Sequence, residues 1–136
     1  MRFFLFFSLV IVLRQADAQL YVGASSQLWL GGNVLVTLND VDLINDGIFA
    51  PGNSQIVFSG ASNTAVRGIQ PVFFHVLQLA KDGNDTISFH RSVTIGHELR
   101  FSQGFIDLNG YDLDLGNTGS LVNESANSHI TGPAGG

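Results

Sequence analysis

Three aspartates lie within eight residues of one another, Asp107, Asp112 and Asp114, with Arg100 a short way upstream. Neighbouring carboxylates of this kind supply oxygen ligands for Ca2+, or an acid pair for sugar chemistry. Together with Arg100 they would suit a carbohydrate-active enzyme such as a polysaccharide lyase. Each aspartate, however, sits beside an apolar residue: Leu108, Leu113 or Leu115. If those leucines point inward along β-strands, the carboxylates face solvent. A polar outer surface then explains them without catalysis. The glycine-rich nonapeptide pattern of calcium-binding β-rolls is absent. The chain therefore reads as non-enzymatic and without a resident cofactor, Ca2+ being the one candidate ion.

Other chemistry-bearing residues do not assemble into a motif. His75, His90, His97 and His129 are scattered, and His97-Glu98 lacks the second histidine of a zinc-protease helix because Phe101 stands there. Folding alone would bring His90 to His97. No Gly-x-Ser-x-Gly elbow occurs, and the glycine-rich turns do not open helices that would hold phosphate. Asn84-Asp85-Thr86 and Asn123-Glu124-Ser125 match the N-glycosylation pattern. Trp29, Tyr111 and the phenylalanines are candidates for stacking on sugars, although such residues commonly fill a β core. Tyr111, next to a turn, is the one expected to be most exposed.

The elements that must position these groups are strands. From Val93 to Leu121 apolar pairs recur every six or seven residues: Val93/Ile95, Leu99/Phe101, Ile106/Leu108 and Leu113/Leu115. Gly96, Ser102-Gln103-Gly104, Asn109-Gly110 and Gly116-Asn117 separate them. The pattern predicts very short strands broken by turns. Upstream, strands are expected at Leu28–Leu30, Val34–Leu38, Val41–Leu43, Ile48–Phe49, Gln55–Phe58 and Thr86–Phe89. Leu20–Ser26 reads as an irregular lead-in. Val72–Leu79 fits a strand or a short helix by periodicity, and its aromatic and β-branched content favours the strand.

Two packings use such a pattern. In a parallel β-helix, three short strands make a coil of roughly 20 residues and inward side chains stack from coil to coil. In an antiparallel β-sandwich, Asn109-Gly110 would close a type I′ hairpin. Strands this short, recurring this often, favour the all-β solenoid, since sandwich turns recur every ~8–12 residues.

Composition narrows the setting. Arg2 followed by the apolar run Phe3–Leu13 and then Ala16-Asp17-Ala18 reads as a secretory signal peptide over residues 1–18, cleaved between Ala18 and Gln19. The mature chain, residues 19–136, would be one β-solenoid module, secreted or on the cell surface and not membrane-spanning. It would keep Arg67, Lys81, Arg91 and Arg100 against ten of the eleven acidic residues. So few cations cannot form the basic track that nucleic acid requires. No cysteine is present, so neither a disulfide nor a lipidated cysteine is available.

From Leu28 onward the chain resembles the β-rich N-terminal regions of large surface proteins exported by the type IX secretion system. The resemblance rests on Ile44-Asn45-Asp46-Gly47-Ile48-Phe49 with Pro51-Gly52-Asn53, on Ile56–Gly60, on Phe105–Gly116, and on Gly119–Ser125 with Ile130–Gly132. It implies an adhesin-like structural module whose partners are polysaccharides or other cell-surface components. It also implies that Asp85-Thr86-Ile87 is an O-glycan acceptor, with Thr86 the attachment point. Such regions usually open longer chains that end in a sorting domain. The end at Gly132-Pro133-Ala134-Gly135-Gly136 therefore suggests a truncated module, or a fragment without independent function.

Overall fold

The structure is a computed structural model that describes residues 17–132; within them the chain is all β, without a helix. Strands wind into a parallel β-solenoid of about five turns. The first coil contains β1 (Ala18–Val22), β2 (Gln27–Trp29) and β3 (Leu35–Asn39), and the second β4 (Val41–Asn45), β5 (Ile48–Ala50) and β6 (Gln55–Gly60). The third is β7 (Thr64–Arg67) and β8 (Val72–Lys81), and the fourth β9 (Thr86–Phe89) and β10 (Val93–Gln103). The fifth has β11 (Phe105–Asp107), β12 (Leu113–Asp114) and β13 (Ser120–Val122), after which β14 (Ile130–Thr131) starts another.

Three faces result. The first stacks β1, β4, β7, β9, β11 and β14 in that order. The second carries two separate ladders, β2 with β5, and the leading halves of β8 and β10 with β12. The third stacks β3, β6, the trailing halves of β8 and β10, and β13. Every one of these pairings is parallel. The expected solenoid is therefore the fold, and the antiparallel sandwich is not.

The side-chain period of two creates the core. On the first face Leu20, Leu43, Val66 and Phe89 lie one above another. On the third, Val36, Ile56, Leu77, Leu99 and Leu121 form one column, and Leu38, Phe58, Leu79 and Phe101 another. Phe74 sits at the centre, edge-on to Phe49 at 5.9 Å and to Phe58 at 6.4 Å. The columns open toward the ends, where Leu121 becomes 39% exposed.

Two expectations are corrected. Of the lead-in expected over Leu20–Ser26, Leu20, Tyr21 and Val22 belong to the strand Ala18–Val22, whose backbone pairs with β4 along its whole length, and only residues 23–26 are irregular. Val93/Ile95 and Leu99/Phe101 belong to one strand rather than two. β10 turns the corner between the second and third faces by a bulge, Gly96 and His97 standing opposite His75 alone.

Asn109-Gly110 does form the tight turn that the sequence announces. Both residues have positive φ, 49° and 81°, and the Tyr111 amide donates to the Leu108 carbonyl at 2.8 Å. The flanking strands nevertheless do not pair with each other. β11 pairs with β9 and β14, and β12 with β10. A two-residue turn of hairpin type here makes a solenoid corner.

The corner from third to first face is held by Lys81. Its side chain is fully buried, and Nζ donates to Ser59 O at 2.8 Å and to Asp40 Oδ1 at 3.1 Å. Asp40, at φ 54°, also accepts from the amides of Ala61 and Ser62. An Asp40 carboxylate beside the Lys81 ammonium lies below the ordinary carboxylate range; the amides of Ser62 and Ala61 add to this, and partial burial opposes it.

Candidate functional site

The outer side of the first face carries a trough. Outward positions on successive coils are Gln19, Asp42, Ala65 and Ser88 in one row, and Tyr21, Ile44 and Arg67 in the next. Of these, Asp42, Ala65, Ser88 and Arg67, together with the polar corner Asn39, Asp40, Ser62 and Asn63, line a shallow hollow of about 720 Å³ that reaches His90. Ala18 and Asp17 border its first coil. A second hollow of about 390 Å³ lies over Asp107, Asn109, Gly110, Thr131 and Gly132. His90 Nδ1 and Asn109 Nδ2 are 3.2 Å apart, so one contact joins the two hollows along the solenoid axis.

The charges in the trough are mostly answered. Arg67 pairs with Asp42, whose other oxygen accepts the Ala65 amide. Asp40 is engaged by Lys81. At the first coil Tyr21 Oη donates to Asp46 at 3.1 Å, and that hydrogen bond and the carboxylate charge raise the phenol above its ordinary range. What the trough offers a ligand is a run of hydroxyls and amides, one imidazole, one half-exposed guanidinium and the carboxylates of Asp17 and Asp40.

The aspartates singled out in the sequence do not meet. Asp107 lies on the first face, its Oδ1 accepting the amide of Asn109 at 2.8 Å. Asp114 lies on the second, beside Thr94, its Oδ1 accepting the amide of Gly116 at 2.7 Å. Asp112 is exposed at the start of that second face, where its carbonyl accepts from Val93. Arg100 is on the third face and pairs with Glu98 at 2.7 Å, a contact that lowers the Glu98 carboxyl and raises the guanidinium. The lyase arrangement thus scatters over three faces. Among the described residues no group of three or more histidine or acidic side chains could hold a metal ion, and the Ca2+ reading of Asp107, Asp112 and Asp114 has no shared site.

The histidines also separate. His90 belongs to the trough, whereas His97 stacks on His75 at the corner between second and third faces, 5.1 Å between ring centres. Thr86 is half-buried, its amide donating to Asn63 and its hydroxyl toward Asn84 O at 3.4 Å. Tyr111 is exposed at 39%, but Trp29 is far more so, at 76%.

Asp42, Arg67 and Ser88 escaped sequence reasoning because each is unremarkable alone. The signal that could have found them is the offset of about 23 residues between stacked partners on this face, visible as Leu20, Leu43, Val66 and Phe89. That register, once set, puts Asp42 and Ser88 in one outward row.

Comparison with known proteins finds no matching family, no matching curated protein and no matching solved structure. The class that fold and surface define is a parallel β-solenoid with a polar trough along one face.

Proposed function

We propose that the chain is a non-catalytic, secreted or surface-displayed β-solenoid module that holds polysaccharide or another hydroxyl-rich cell-surface component along its first face. The observation that carries this reading is the trough itself. It runs along the stacking axis, bridges two hollows through His90 and Asn109, and presents polar donors and acceptors among which Arg67 is paired with Asp42 and Asp40 with Lys81. Hydroxyl groups both donate and accept, so such a lining matches them at many points. A mostly polar, open trough differs from the enclosed apolar pockets that take drug-sized molecules. Export follows from the leader Phe3–Leu13, and the adhesin-like, type IX character from the resemblance. The leader itself lies outside the described residues.

The test is binding of the purified chain to an array of immobilised bacterial and plant polysaccharides. Retention is expected, weakened at least tenfold by Arg67→Ala combined with His90→Ala, with the β circular dichroism unchanged. Absence of retention on every polysaccharide, or retention indifferent to the double substitution, would remove the trough as the binding face.

A further inference from the structure

The second face carries a different surface. Leu28, Phe49 and Phe74 point into the core, so alternation turns Trp29, Ile48 and Phe73 outward. Trp29 is 76% exposed, Ile48 55% and Phe73 41%, with Ile69 exposed at the edge of the same face. Trp29 aligns with Ala50 and Phe73 with Thr94, and the Phe73 ring lies so close over Gly96 that an added Cβ would stand 2.6 Å from it. The remaining outward positions of the strip are Gln27, Ala50, Thr94 and Gly96, with His75 stacked on His97 where the face ends at the corner. Carboxylates enter in the fifth coil, with Asp112 and Asp114, and the nearest cation, Arg91, sits at the edge by Ile69, where its Nε donates to the Gly68 carbonyl.

We infer that this strip is a second binding face, one that stacks the sugar rings of a neutral, extended polysaccharide on Trp29 and Phe73. Size argues for a narrow occupant. Four coils at about 4.8 Å and three residues at about 3.3 Å give roughly 200 Å². A specific protein partner needs about 800 Å² on each side. Charge argues for a neutral one. An anionic glycan or an anionic membrane surface would need cations beside the aromatic rings, and no lysine or arginine occupies an outward strand position next to Trp29 or Phe73. Ring chemistry supplies the contact: flat aromatic faces meet the apolar C–H faces of sugars, while Gln27 and Thr94 are placed to meet hydroxyls. Trp29 and Phe73 stand two coils apart, about 10 Å along the axis, so a linear chain lying along the solenoid can reach both. The inference goes beyond the trough, because it concerns another face and other residues.

Trp29 is the sole tryptophan of the chain, so its fluorescence reports on this face alone. The full chain is titrated with hydroxyethyl cellulose, soluble xylan and galactomannan, with polygalacturonate as the anionic comparison. The expected result is a blue shift of Trp29 emission with at least one neutral polymer and none with polygalacturonate. Retardation in gels containing that polymer should fall at least tenfold in Trp29→Ala and in Phe73→Ala, both retaining β circular dichroism. The shift should persist in the Arg67→Ala/His90→Ala chain, which separates this face from the trough. No shift with any neutral polymer, retardation untouched by Trp29→Ala and Phe73→Ala, or a shift that follows protein concentration instead of polymer would each overturn the inference; the last would make the strip a self-association surface.

Discussion

Phe73 and Phe74 are adjacent, identical in chemistry and opposite in fate, which makes them the sharpest test of the fold. Phe74 is fully buried in the central coil and meets Phe49 and Phe58 edge-on. Truncating a buried phenylalanine to alanine costs about 3–5 kcal/mol. The two aromatic contacts, worth about 0.5–1.5 kcal/mol each, place Phe74→Ala toward the upper end of that range. A chain of this length has a total stability of about 6–17 kcal/mol, and each kcal/mol moves the midpoint by about 3–5 °C. Phe74→Ala is therefore expected to lower the melting temperature by about 12–25 °C. Phe73→Ala removes an exposed ring that touches Gly96, costs at most about 1 kcal/mol and shifts the midpoint by less than about 5 °C. Thermal melts of both variants, followed by far-ultraviolet circular dichroism, decide the matter. A one-residue slip of β8 would exchange the two side chains between core and solvent. A Phe73→Ala midpoint as low as that of Phe74→Ala would thus refute the register on which every outward position rests.

Two further outcomes are expected. Gly68 and Gly83 both have positive φ, 124° and 53°, but a Cβ at Gly68 would overlap the backbone of Asn45 whereas Gly83 faces open space; urea titration should show Gly83→Ala folded, with about 1–2 kcal/mol lost, and Gly68→Ala unfolded or nearly so. Because Asp40 titrates lower in the folded chain than in the unfolded one, its contribution to stability is complete above the ordinary carboxylate range and is lost as pH falls through the folded value below about 4. Melting temperatures measured from pH 7 to 2 should therefore fall in that acid window. Asp40→Asn, which tolerates the same positive φ, should be less stable at neutral pH and should show a shallower acid fall.

Much of the architecture was legible because a solenoid writes its core as a simple alternation. Val93, Ile95, Leu99, Phe101 and Ile106 are all buried, as the apolar pulses require. Strand continuity was less legible. Gly96 looks like a turn, and only the pairing with β8 that resumes on both sides of the bulge, at Ile95 and Glu98, makes it a bend inside β10. β1 was hidden because Ala18–Val22 carries few buried residues of its own and owes its strand form to β4. Lys81 precedes the turn residues Asp82-Gly83-Asn84-Asp85, and nothing in its neighbours marks it as buried. Its burial depends on Asp40, 41 residues earlier, a separation no local pattern reports. The trough was invisible for the same reason, since Asp42, Arg67 and His90 belong to different coils. Trp29 was readable as a stacking candidate, but its exposure over that of Tyr111 needed the register of β2 on β5.

The fold also explains how one small chain can carry unlike faces. Inward columns are set by contacts between successive coils, and in such stacks stability is close to a sum over neighbouring repeats. Outward positions take almost no part in that sum, so their chemistry is free to differ from face to face. On the first face they are mostly polar, with Asp42 ion-paired to Arg67 and His90 in hydrogen-bond contact with Asn109. On the second, large apolar side chains stand outward in the first three coils, Trp29, Ile48 and Phe73, beside uncharged Gln27 and Thr94. On the third Gln55, Gln78 and Ser102 link side chain to side chain across three coils. Each coil repeats the same three directions, so a property placed at one position extends along the axis when its stacked partners share it. Linear ligands are what such rows can follow. Substitutions in one row should also leave the other faces intact, which makes the trough and the aromatic strip separable by experiment.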